Sequence, residues 1–109
     1  MSILPKSLNI PQLYYETIYE TNNTVVGKCT IFKGNKFTIH YHNISEIYII
    51  LDGNGEVFNK GKWEKTKKGD IFNFPPYTQH CARTSTMLKI LYIFNNGPFN
   101  QVKYFYPKL

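Results

Sequence analysis

Three histidines and one glutamate carry the chemistry that this sequence can offer. His40 and His42 stand at i and i+2 in Thr38-Ile-His-Tyr-His-Asn. On a β-strand that spacing turns both imidazoles to one side, so a single ion can meet both. Glu46 follows the turn-like triplet Asn43-Ile44-Ser45 and opens the apolar run Ile47-Tyr-Ile-Ile-Leu51. A carboxylate at that point sits on the neighbouring strand beside the two histidines. His80 comes thirty-four residues after Glu46, and with it every histidine of the chain enters the arrangement. Three neutral imidazoles and one carboxylate form a borderline-to-hard donor set suited to one divalent ion such as Fe, Mn, Zn, Ni or Co. If the ion is six-coordinate, two positions stay open for substrate, water or dioxygen.

Other polar side chains share faces with these four. Lys36 and Thr38 have the parity of His40 and His42, and Tyr48 has the parity of Glu46. Tyr48 and Lys36 are the candidates for a catalytic base, should a nearby cation lower their pKa. Thr38, Asn73, Gln79 and Tyr92 are the candidates for orienting a small-molecule substrate. Arg83 has the opposite parity to His80 and points away, and alternation turns Cys81 to the face opposite His80.

The elements that must position these residues read as strands throughout. No 3.6-residue period is sustained, whereas short runs of Ile, Val, Tyr, Phe and Thr recur between turn signals. Strands are expected near Val25–Phe32, Lys36–His42, Glu46–Leu51, Glu56–Asn59, Trp63–Lys67, Ile71–Phe74, Gln79–Arg83, Met87–Phe94 and Gln101–Tyr106. The breakers between them include Asp52-Gly53-Asn54-Gly55, Lys60-Gly61, Lys68-Gly69-Asp70 and Pro75-Pro76. Asp-Gly and Asn-Gly pairs accept the positive φ of tight hairpins. Nine short strands at close spacing predict an all-β sandwich or barrel. Residues 1–24 are less patterned and read as an N-terminal arm, leaving 25–109 for the barrel.

A chain of 109 residues allows one domain and one core. With 42% hydrophobic and 17% aromatic residues it is globular, not disordered. No run reaches the roughly 18 apolar residues of a membrane span, and the N-terminus lacks the apolar stretch of a signal peptide. The expected location is therefore cytoplasmic, with Cys29 and Cys81 reduced. The net charge of +6 comes almost wholly from lysine. Without an arginine cluster or a basic helix it reads as a solvated surface and excludes nucleic acid as the expected partner. Aromatic segments near both ends, Leu13-Tyr-Tyr and Tyr104-Phe-Tyr-Pro, exceed what so small a barrel buries and point to a homodimer.

The spacing Gly34-x5-His40-x-His42-x3-Glu46-x6-Gly53 resembles the first cupin motif at every position, and Gly69-x5-Pro75-x4-His80 resembles the second. The second motif's usual glycine is Tyr77 here, and its terminal asparagine is Thr84. The resemblance implies a double-stranded β-helix, or jelly-roll barrel, with His40, His42, Glu46 and His80 as metal ligands. Small single-domain cupins include sugar and sugar-phosphate isomerases, Fe(II)-dependent dioxygenases and non-catalytic ligand-binding modules. Hydroxyl, amide and ammonium groups near the site, on a cationic protein, favour the isomerase or epimerase class acting on a carbohydrate.

Overall fold

The computed structural model describes residues 7–10, 13–33, 38–95 and 102–107. Eleven strands run in chain order as β1 (Ser7–Ile10), β2 (Leu13–Glu20), β3 (Val25–Phe32), β4 (Tyr41–His42), β5 (Glu46–Gly53), β6 (Glu56–Asn59), β7 (Lys62–Lys65), β8 (Ile71–Phe74), β9 (Cys81–Arg83), β10 (Met87–Phe94) and β11 (Tyr104–Phe105). They form a six-stranded sheet in the order β1-β2-β3-β10-β5-β8, a three-stranded sheet β7-β6-β9 and the short pair β11-β4. The architecture is all-β, as expected, although the described sheets do not close into one continuous ring. Among the described residues no helix is long and apolar enough to cross a membrane.

Strict alternation builds the core. In β10 every second residue, Leu88, Ile90, Tyr92 and Phe94, is buried, and in β5 Glu46, Tyr48 and Ile50 are. The register pairs Tyr92 with Tyr48 and Phe94 with Glu46, so the two inward rows lie side by side. Each fully buried Leu, Ile, Val or Phe contributes about 1.5–3 kcal/mol. The glutamate is thus carried by a wall of apolar side chains. Gly53 ends β5 at φ 90, where a Cβ would collide with the Met87 carbonyl oxygen, so only glycine lets the chain turn there. Lys60 and Gly61 both have positive φ and make the tight β6–β7 hairpin that the Lys-Gly pair predicts.

Two regions differ from the expected pattern. Residues 7–10 and 13–20 are built into the sheet: β2 is hydrogen-bonded along β3, with Tyr15 opposite Cys29, and β1 pairs outside β2. A register shift between Thr17 and Tyr19 breaks the alternation, which is why the sequence pattern fades there. The strand expected over Lys36–His42 is reduced to an isolated bridge at His40 and the two residues of β4, while residues 34–37 lie outside the described ones.

Candidate metal centre

The chain brings His40, His42, Glu46 and His80 to one place. One ligand atom from each lies within 4.8 Å of all the others, and all four residues are buried. The backbone does most of the assembly. His40 and His80 face each other in an antiparallel bridge, with both amides donating across it at 3.1 and 2.8 Å. His42 follows on β4, and Glu46 opens β5 at the inward position beside Phe94.

Each ring is then locked by a backbone carbonyl two residues away. Nδ1–H of His40 donates to Thr38 at 2.8 Å, that of His42 to Ile44 at 2.6 Å and that of His80 to Thr78 at 2.7 Å. A carbonyl only accepts, so all three Nδ1 atoms carry a proton, which leaves Nε2 as the ligand atom of each ring. The Nε2 atoms of His42 and His80 stand 3.0 and 2.9 Å from the same oxygen, Oε1 of Glu46. With Nδ1 already protonated, a hydrogen bond to that carboxylate requires a second proton on the ring. A cation shared by the same atoms replaces that proton, and this donor set therefore fits a divalent ion.

Electrostatics keep Glu46 and His40 in their binding forms. Burial alone raises the Glu46 carboxyl, but the His42 and His80 rings against its Oε1 more than offset it and bring it down to about 2. Burial, reinforced by the neighbouring His80, lowers His40 to about 4, so its ring is neutral at physiological pH. Aromatic rings wall the cluster. Phe74 stacks on His80 with centroids 4.3 Å apart, Phe94 meets His42 edge-on at 5.2 Å, and Tyr104 of β11 lies 5.7 Å from His40 and 5.4 Å from His42. Tyr104 belongs to the segment that sequence reasoning assigned to a subunit contact. Its place over the histidines depends on the pairing of β11 with β4, which sets Tyr104 opposite His42 and for which the local pattern gives no cue.

The other expected site residues separate into three groups. Tyr48 and Tyr92 face inward; Tyr48 lies 5.8 Å from His80, and Tyr92 packs on Tyr15 and Phe94. Burial and the Glu46 charge raise Tyr48 well above the usual phenol range, so it is held protonated, the reverse of what a base requires. Asn73 alternates with inward Phe72 and Phe74 and is exposed beside Ile47 on the outer face. Gln79, next to inward His80, is exposed for the same reason, so neither amide joins the cluster. Thr38 is exposed and contributes its carbonyl to His40. Lys36 lies outside the described residues. Where the second motif has asparagine, Thr84 donates to the Asn54 carbonyl; where it has glycine, Tyr77 adopts φ 65, the conformation that glycine favours. The Tyr77 amide donates to the His42 carbonyl at 2.7 Å and so fastens the Pro75-Pro76 turn to a ligand residue.

A family model described as "Cupin domain" matches residues 27–94. An uncharacterized protein of Methanocaldococcus jannaschii is 33% identical over 85 residues, covering 75% of this chain and 68% of that protein. L-ectoine synthase of Saccharophagus degradans is 34% identical over 68 residues, covering 61% of this chain and 52% of the synthase, so the chain spans about half of that relative's length. Among solved structures, an RmlC-like cupin from Shewanella frigidimarina superposes with a TM-score of 0.74 at 22% identity, covering 79% of this chain and 78% of the other.

Proposed function

The chain belongs to the cupin family, and from that premise we propose that it is a divalent-metal enzyme acting on a small hydroxy-carbonyl compound, an isomerase or epimerase of a carbohydrate or sugar phosphate. The observation that carries this reading is the set of three carbonyl-locked imidazoles aimed, with Glu46, at one point. An ion held there would supply Lewis-acid polarisation of a carbonyl or hydroxyl oxygen and so favour loss of a proton from the neighbouring carbon. His40, His42, His80 and Glu46 would hold it. The aromatic wall of Phe74, Phe94 and Tyr104 limits water and strengthens the electrostatics inside. Tyr48, held protonated, serves as a hydrogen-bond donor. The net charge of +6 supports an anionic substrate such as a sugar phosphate. A relative named L-ectoine synthase supports chemistry on a small molecule.

The test is an anaerobic screen of sugars and sugar phosphates with the protein loaded in turn with Fe, Mn, Co or Zn. Deuterium exchange at the carbon next to the carbonyl is followed by proton NMR. Exchange and turnover under nitrogen with several metals are expected, because no redox change is needed. Turnover only with Fe and air would overturn this reading in favour of an Fe(II)-dependent dioxygenase, which the same donor set also suits.

A further inference from the structure

The β6–β9 ladder pairs Val57 with Ala82 and Phe58 with Cys81. The ladder ends there, and continuing its register by one residue past the end of β9 sets Asn59 opposite His80. Val57 and Ala82 are fully buried, so the inward row of β6 is Val57 then Asn59, and the inward row beside it is Ala82 then His80. The outer face of this sheet is a separate structure: Phe58 packs on Trp63, and Arg83 covers the Trp63 ring at 3.7 Å while bonding Glu56.

Asn59 is 8% exposed, and its side-chain oxygen Oδ1 is buried with no hydrogen-bond partner among the described residues. Asparagine beside a hairpin usually bonds the turn backbone. Here it stands immediately before Lys60-Gly61 and that oxygen is not so used. A buried acceptor with no donor is destabilising, and natural folds retain few of them without a further role. Its neighbour in register is a ligand of the candidate metal centre.

We propose that Asn59 is the substrate-recognition residue of the site, its amide taking a hydrogen bond from a hydroxyl group that the ligand carries next to its metal-binding oxygen. This deepens the metal reading above and rests on it. A hydroxyl both donates and accepts, so it suits an amide at this place, and its absence from a ligand leaves the amide buried and unpaired. Asn59 thereby selects hydroxy acids and hydroxy-carbonyl compounds over their deoxy analogues.

The experiment uses the full chain loaded with Co(II), whose visible absorption reports ligand binding, with glycolate and acetate as probes. Wild type is compared with Asn59→Leu, which keeps the branched shape and removes the amide, and with Asn59→Ala. Wild type is expected to prefer glycolate, and the glycolate-to-acetate affinity ratio is expected to fall about tenfold in both variants. Cobalt and acetate affinity should stay within about twofold of wild type. A ratio unchanged by the substitutions, equal weakening of both probes, or no glycolate preference in wild type overturns the proposal. So does circular dichroism showing both variants unfolded, since that makes Asn59 structural. Wild-type protein that takes up no stoichiometric cobalt refutes the metal reading itself, an outcome distinct from all of these.

Discussion

Replacing Glu46 separates the ligand role from the structural one. Its Oε1 is the one acceptor shared by His42 and His80, at 3.0 and 2.9 Å, and the residue is 5% exposed. Four-ligand protein sites bind zinc with roughly 10–16 kcal/mol, so one ligand's share is about 2.5–4 kcal/mol. That corresponds to a loss of about a hundred- to a thousandfold in metal affinity for Glu46→Ala. Glu46→Gln keeps an oxygen for the two rings but removes the charge, and it should also lose metal while unfolding nearer the wild-type midpoint. Both variants should keep their strands, because the buried rows Leu88–Phe94 and Tyr48–Ile50 do not depend on the carboxylate. The assay is competition against a fluorescent zinc chelator, with far-ultraviolet circular dichroism and denaturant melts on the same samples. Stoichiometric metal held by both variants at wild-type affinity would refute the assignment of Glu46 as a ligand.

Four further outcomes follow from the same structure. His40 is lowered to about 4 when folded against an ordinary 6.5, so the unfolded chain binds the extra proton and metal-free protein should lose on the order of 3 kcal/mol as pH falls from 6.5 to 4. Denaturant melts across that window check it, and a flat profile counts against the buried neutral ring. Tyr77→Gly relieves a left-handed conformation and should raise stability by about 0.5–1 kcal/mol; a lower unfolding midpoint would show that the Tyr77 ring contact to Phe105 matters more than the strain. Cys29, pushed up to about 12 by burial despite its hydrogen bond with Tyr15, should resist iodoacetamide at pH 8 until the protein is denatured, as read by mass spectrometry; rapid native labelling contradicts the burial. Light scattering should report a homodimer, because Ile18 and Tyr19 on β2 and Ile71 on β8 remain exposed; a monomer at high micromolar concentration removes that expectation.

What was legible in the sequence was whatever local period and spacing encode. β3, β6, β8 and β10 begin and end where alternation and turn residues put them, and Gly53 marks its turn because no side chain fits. His40, His42 and Glu46 were readable from strand parity and the turn before Glu46, and His80 from the spacing Gly69-x5-Pro75-x4-His80, whereas the bridge that joins His80 to His40 was not. What was not legible depends on contacts far apart in the chain. Tyr104 reaches the histidines only through β11, β2 hides behind an irregular register, and Asn73 and Gln79 were credited with polarity while the pleat turns them outward. Asn59 carries no sequence signal at all, since it is singled out only by its buried, unpartnered oxygen and by the β6–β9 register continued one residue beyond Cys81.

The bridge between His40 and His80 has a consequence for the unfolded chain. Both described cysteines are free, so no covalent cross-link shortens this chain. A tie between positions 40 and 80 encloses a loop of about forty residues, and closing such a loop permanently removes denatured-state entropy worth about 4 kcal/mol. Two backbone hydrogen bonds make that tie reversible in the metal-free protein. An ion gripped by both rings would turn the same point into a staple, doing for a disulfide-free chain what cystines do in secreted ones.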